Sequence, residues 1–442
     1  MSVVSPSSTR RHRVAGIVLG SVTAGLLLFG SSPAVAVDTP WYQSALKLDA
    51  GAAEGFTGEG VTIAVIDGQI NTEVAALAGA DITVREPSFC FDEGGSPMPA
   101  TTTELSETRP TDHGTNVVSM IVGSGEQSSI AGVAPGATIN YYSVYTAEDA
   151  EGSLSCLDEE GRENSPFGAA FTEAVADGAD IISVSLSETA GSDFRLAASQ
   201  ALRDGVVIFG SLANSSELEL RGGMPGAANG AIGVQAAGAD GEIQSTDGVP
   251  NRNARTTVVA PGLGFTLQGN RATGSWEEPF QADGTSLATP LAAGVMALAM
   301  EKYPSATGNQ LIQSLIRNTG GTGGDEATYD PEELYGYGLI SVENLMAADP
   351  TGYEDVNPLI KKDGTTQLAL VPSYDEIFNP AAATEAPADP SDDPSSEAPE
   401  PSDGIPVWVW ALLAVVVGVV LVAVVVIVLV VRKRNSAPRS SH

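Results

Sequence analysis

Three side chains stand out for what they could do together. The chain has 3 histidines; His12 lies in a basic N-terminal segment and His442 is the last residue. His113 is therefore the histidine available to a folded body, in Asp112-His113-Gly114-Thr115-Asn116, where it opens an apolar run to Gly123. An imidazole titrates near neutrality and can act as general base and acid, although a single histidine is more often structural. Asp67 ends the apolar run Val61-Thr62-Ile63-Ala64-Val65-Ile66. That pattern is expected of a buried parallel strand with its functional group at the carboxyl end. Ser286 sits in Gly284-Thr285-Ser286-Leu287-Ala288-Thr289-Pro290, ahead of the Ala- and Gly-rich run to Leu298. Proline is tolerated in a first helical turn, which places a helix start near Ser286. A hydroxyl there lies where N–H groups and the helix dipole favour negative charge. The same position also suits an ordinary helix cap.

An acid, an imidazole and an alcohol are the parts of a nucleophilic triad. The chain order Asp67, His113, Ser286 is the order known for subtilisin among three unrelated triad orders. With their flanking motifs, these residues resemble the subtilisin-like serine proteases (subtilases), over most of residues 37–350. The resemblance implies peptide-bond hydrolysis with Ser286 as nucleophile, His113 as base and Asp67 as its orienting acid. It also implies that Asn214, in Ser211-Leu212-Ala213-Asn214-Ser215, donates to the oxyanion. Ser185, Leu186 and Ser187 would pair their backbone with an extended substrate, as a sheet edge does. No cofactor is needed, and no acidic loop demands a metal. Three positions depart from the family pattern. Gly68 stands where Ser or Thr usually follows the acid, Ala213 where Gly usually precedes the Asn, and Leu287 where Phe or Met is more frequent. The first removes a hydroxyl that could hydrogen-bond the carboxylate.

The elements that must position these groups read as an α/β domain: a subtilisin-like parallel sheet flanked by helices. Strands are expected at 61–67, 138–145, 180–186, 205–210, 231–236 and 256–260. Helices are expected after His113, at 167–176, from Ser286 and at 310–316, the second at helical apolar spacing. Residues 336–340 resemble the closing strand or turn of such domains.

The net charge is -34 at pH 7, which argues against nucleic acid as a partner. The 2 cysteines, Cys90 and Cys156, each sit in a long polar loop. An oxidising compartment would join them in a disulfide, tying two loops at one rim of the site. Two free thiols are the alternative, and without nearby histidine they do not make a zinc set.

The ends carry addresses. Residues 1–36 have a basic Arg10-Arg11-His12-Arg13, an apolar stretch and Ala34-Val35-Ala36, the layout of a secretory signal peptide. The stretch from Val37 to Asp67 is too short for a compact propeptide domain, so an extension lying along the body is expected. Residues 351–404 are assigned to a linker or stalk; 380–404 hold no Lys or Arg and are rich in Pro, Ser and acid. The apolar run 405–431 would span about 38 Å as a helix, enough for a bilayer. Arg432-Lys433-Arg434 follows, which keeps the tail 432–442 cytoplasmic and the body outside the cell membrane. This architecture resembles the mycosins, membrane-anchored subtilases associated with type VII secretion, and implies protein or peptide substrates and a secretion membrane complex as partner. A subtilase-fold scaffold with impaired catalysis is the alternative, favoured by Gly68 and Ala213.

Overall fold

The computed structural model describes residues 40–380, apart from 126–129, 149–153, 188–190, 216–222, 321–327 and 363–370. The expected signal peptide, the membrane span 405–431, the tail 432–442 and all but the first residue of the acidic 380–404 stretch lie outside these residues. Among the described residues, no helix is long and apolar enough to cross a membrane.

The frame is a seven-stranded sheet whose strands all pair in parallel. In chain order its strands are β1 (Thr62–Asp67), β2 (Ile82–Val84), β3 (Thr138–Ser143), β6 (Ile181–Val184), β7 (Val207–Ser211), β8 (Ile232–Ala237) and β11 (Thr256–Pro261). Short strands β4 (Ala147–Glu148), β5 (Leu154–Ser155), β9 (Ser245–Thr246) and β10 (Val249–Pro250) form two small hairpins outside it. The antiparallel ribbon β12 (Phe265–Asn270) and β13 (Ser275–Ala282) forms a third.

Side chains alternate across β1. Ile63 and Val65 join one core while Ala64 and Ile66 join the other. Both faces are buried, so the strand reads as continuously apolar. One face is covered by α3 (Thr111–Val122) and α6 (Thr285–Lys302), the other by α4 (Phe167–Ala176) and α5 (Ser192–Arg203). The strand order is β11-β8-β7-β6-β1-β3-β2. The chain thus lays β2 and then β3 on one side of β1, with β3 between β1 and β2, and builds the other way from β6 to β11. The reversal falls beside β1, and the carboxyl ends of strands at such a point are where α/β sheets place their sites. Asp67 ends β1, and Ser185 follows β6.

Helix α6 runs through the centre with residues 287–299 buried, as a helix apolar on all sides must be. Its start at Thr285 agrees with expectation, but Pro290 lies in its second turn rather than its first. Proline there offers no N–H to the carbonyl four residues back, that of Ser286. The vacancy is filled from the side: Ser185 Oγ donates to Ser286 O at 2.8 Å.

The N-terminal extension forms α1 (Trp41–Leu46) and α2 (Leu48–Glu54), with Trp41 and Tyr42 against Phe265. Helix α2 packs on α8 (Val342–Ala347), which follows α7 (Gly308–Arg317). The body does not stop at residue 350, the boundary expected from composition. Asn357 Nδ2 donates to Gly230 O at 2.8 Å, and α9 (Tyr374–Phe378) packs on α5 with Ile377 fully buried. Arg203 Nη1 donates to the carbonyls of Glu376 and Ile377. The compact unit therefore extends to Asn379. Its polar composition hides a few anchors that suffice to dock it.

Candidate active site

The acid is fully buried at the end of β1, and its Oδ1 takes two donors: His113 Nδ1 at 2.8 Å and the Gly68 N–H at 2.7 Å. Its Oδ2 is buried without a partner among the described residues. Helix α3 brings His113 there, in the first turn. The helix is tied to the segment following the acid, since Asn71 N–H donates to Thr115 Oγ1 at 3.0 Å. Burial is the strongest single influence on the imidazole and opposes its charge. The Asp67 carboxylate, by its field and its hydrogen bond, and the Asp112 carboxylate outweigh burial, while Arg271 works against them; the net effect raises the His113 pKa.

Ser286 is the second residue of α6, where a backbone N–H has no carbonyl within the helix to bond. The Ser185 hydroxyl links it to the end of β6, beside β1, where the last paired residues are Ile66 and Val184. The acid, the imidazole and the Ser286 backbone thus gather at the carboxyl end of the central strands β1 and β6. His113 and Ser286 Oγ make no hydrogen bond with each other. Such contacts often close only when substrate is bound.

Asn214 lies just past β7 and is pinned on both sides. Its Oδ1 accepts from Thr285 N at 3.0 Å and Thr285 Oγ1 at 3.1 Å; its backbone carbonyl accepts from Asn251 Nδ2 at 2.8 Å. With Oδ1 so engaged, Nδ2 is the end able to donate to a ligand. A Cβ at Gly284 would stand 3.2 Å from Ser286 Oγ and 3.6 Å from Asn214 Nδ2. The glycine keeps the space between the Ser286 hydroxyl and the Asn214 amide open.

The subtilase family model, Peptidase S8, matches residues 58–338. The chain belongs to the subtilase family. Subtilases are serine endopeptidases, and this chain is one. It is 27% identical over 308 residues to a thermostable alkaline protease of Halalkalibacterium halodurans, covering 68% of this chain and 72% of that one. It is 28% identical over 317 residues to subtilisin NAT of Bacillus subtilis subsp. natto, covering 70% and 71%. Its fold is similar to that of fervidolysin from Fervidobacterium pennivorans, with a TM-score of 0.52 and 21% identity, over 73% of this chain and 46% of that one.

Against the subtilase pattern, the three departures have local explanations. Ala213 needs no special backbone: the positive-φ residues other than glycine among the described ones are Lys47, Asp247 and Glu333. Leu287 is buried in the main core, where an apolar exchange is mild. Gly68 keeps its N–H on Asp67, and its missing side chain makes room for Tyr145.

The run Ser185, Leu186, Ser187 falls past β6, which ends at Val184 rather than at Leu186 as expected. The run therefore lies beyond the sheet's own ladder. Ser185 and Leu186 are buried and Ser187 is exposed.

Cys90 and Cys156 form a disulfide with their Cα atoms 5.0 Å apart. It braces the loop that carries Pro99, Ala100 and Thr102, which bond Gln69 and Ile70 just after the acid. Sequence reasoning missed the partly buried pair Arg271 Nε–Asp112 Oδ1 at 2.7 Å, which latches the β12–β13 ribbon to α3 beside His113. It also missed Thr285 as the holder of Asn214. Asp112 and Thr285 each neighbour a candidate residue, which was the one signal available. Arg271 has no such signal.

Proposed function

We propose that this subtilase is a membrane-anchored extracytoplasmic endopeptidase that works through Asp67, His113 and Ser286. His113 donates Nδ1–H to Asp67, which leaves Nε2 to take the Ser286 proton as Oγ attacks a peptide carbonyl. The carbonyl oxygen becomes an oxyanion, met by Asn214 Nδ2 and the Ser286 N–H. His113 returns its proton to the leaving amine, and water then releases the acyl group by the same route. Asp67 keeps the imidazole in the working tautomer and stabilises its charged form. The Ser185–Ser187 backbone, beyond the sheet ladder, holds the substrate as an added strand.

The observation that carries this reading is the 2.8 Å Asp67–His113 contact at the carboxyl end of β1, beside the strand end to which the start of α6 is tied. A serine-reactive fluorophosphonate probe tests it on the purified full chain. Labelling should be lost in Ser286→Ala and His113→Ala; a folded wild-type protein that does not label would refute it. The unmade His113–Ser286 hydrogen bond favours a second reading, a scaffold of subtilase fold, and the same null result would support that one.

The cellular setting is also proposed. The basic–apolar–Ala-x-Ala N-terminus, the 405–431 apolar run and the basic residues after it support a single-pass anchor with the protease outside. The resemblance to mycosins supports a type VII secretion complex as partner. Surface proteolysis of intact cells should remove the body and spare the tail. A body protected until cells are lysed would overturn the orientation.

A further inference from the structure

The acid of this site has an unusual set of tethers. Asp67 Oδ2 is buried with no partner among the described residues, so the aim of the carboxylate rests on Oδ1 alone. One of the two donors to Oδ1 is the N–H of Gly68. The place where a hydroxyl-bearing side chain at 68 would stand is filled, since a Cβ there would lie 2.3 Å from Tyr145 Cζ. Gly68 is in turn held from below: Tyr141 Oη donates to Gly68 O at 2.8 Å. Tyr141 comes from β3, paired with Val65 of β1, and is fully buried.

The same phenol meets the motif of the base. A Cβ at Gly114 would lie 2.0 Å from Tyr141 Oη and 3.0 Å from Gln69 O. Oη is therefore wedged between the residue following Asp67 and the residue following His113. A rigid strut at that point sets the spacing between the end of β1 and the first turn of α3. Resting on the Asp67–His113–Ser286 reading, we propose that Tyr141 is a positioning residue: its phenol fixes the Gly68 peptide whose N–H tethers Asp67, and so holds Asp67 on His113.

The neighbouring residue supplies a matched control. Tyr142 is also buried, and its Oη donates to Asp177 Oδ2 at 2.8 Å. It belongs to the other core, away from α3. Tyr141→Phe and Tyr142→Phe each remove one hydroxyl bond and keep the ring, so a stability effect alone should appear in both.

The experiment measures kcat, KM and the pH profile of kcat/KM for the full chain, with melting temperature as the check on folding. In Tyr141→Phe, kcat should fall roughly 10- to 100-fold, the scale of a misplaced catalytic group, with KM within about twofold. Its acid limb should move to lower pH, because a looser Asp67 contact supports the His113 charge less. Tyr142→Phe should keep the wild-type kcat and acid limb. A second pair keeps the test sharp if Tyr141→Phe folds poorly. Gly114→Ala should lose activity, since its Cβ meets Oη. Adding Tyr141→Phe removes Oη, the one clash below 3 Å, and leaves Gln69 O at 3.0 Å and Cζ at 3.2 Å, so the double variant should be no worse than Gly114→Ala alone. Losses that multiply, a Tyr141→Phe kcat within twofold of wild type, or equal losses in both phenylalanine variants would each overturn the proposal. A wild-type protein that neither labels nor hydrolyses sinks the triad reading itself. An active wild type with an unaffected Tyr141→Phe sinks the strut alone.

Discussion

Arg271→Gln probes the charge balance around the imidazole. Arg271 Nε sits 2.7 Å from Asp112 Oδ1, and the two side chains are 27% and 3% exposed. At that separation and an effective dielectric of 20, the Coulomb attraction is about 6 kcal/mol before desolvation. Desolvation and the exposed edge of the guanidinium offset much of it. Breaking a buried pair costs about 3–5 kcal/mol, and water reaching this one lowers the figure to about 2 kcal/mol. For a body of this size that is roughly 3–5 °C in melting temperature. The penalty carries a pH signature. Burial already raises the Asp112 pKa, against the pull of Arg271; without the guanidinium it rises further. A group with a raised folded-state pKa favours folding when protonated, so the penalty should be full where Asp112 is ionised. It should fade as pH falls through the folded-state pKa. Catalysis should shift as well. Arg271 opposes the His113 charge while Asp112 supports it, so the substitution raises the His113 pKa and moves the acid limb of kcat/KM to higher pH. Scanning fluorimetry from pH 4 to 9 and a pH–rate profile read both effects. A pH-independent melting penalty, or an acid limb that stays put or moves down, would refute the reasoning.

Two further outcomes follow from the packing. Replacing Cys90 and Cys156 together by Ser frees a 66-residue separation and should cost about 4 kcal/mol in the chain-entropy model. The melting temperatures of wild type and variant should then converge in reductant; a gap that persists would show that packing, not the crosslink, is at stake. A truncated chain ending at residue 350 should melt several degrees below one ending at 380, because it loses the buried Ile377 and the Asn357 bond. Fully burying one such aliphatic side chain is worth about 1.5–3 kcal/mol. Equal melting of the two would mean that α9 only rests on the surface.

Much of the frame was legible because its physics is local. The apolar run to Asp67 is what a strand buried on both faces must look like, and the Phe167–Ala176 helix has the expected bounds. Helix α5 went unread: its Ala-Ser-Gln pattern, Ser192 to Arg203, carries a weaker apolar signal than its burial warrants. Residues 351–379 were assigned to a stalk by composition, which registers average polarity and not the few anchors that dock. At the site, Asp67 and His113 were read from type and setting, and the structure puts them in contact. The partners that aim them were out of reach. Tyr141 touches both motifs only because β3 lies beside β1, and Arg271 reaches Asp112 across 159 positions of chain. Pairings set by topology leave no pattern in a window of residues.

Pro290 has a mechanical corollary. By withholding one amide hydrogen it leaves the carbonyl of residue 286 without a partner four residues on, and the Ser185 hydroxyl bonds it from outside the helix. The second residue of the central helix and the first residue past β6 then share a single joint. On the proposed reading, in which the Ser185–Ser187 run holds a peptide that Ser286 attacks, that one bond couples occupancy of the run to the peptide plane of the attacking residue.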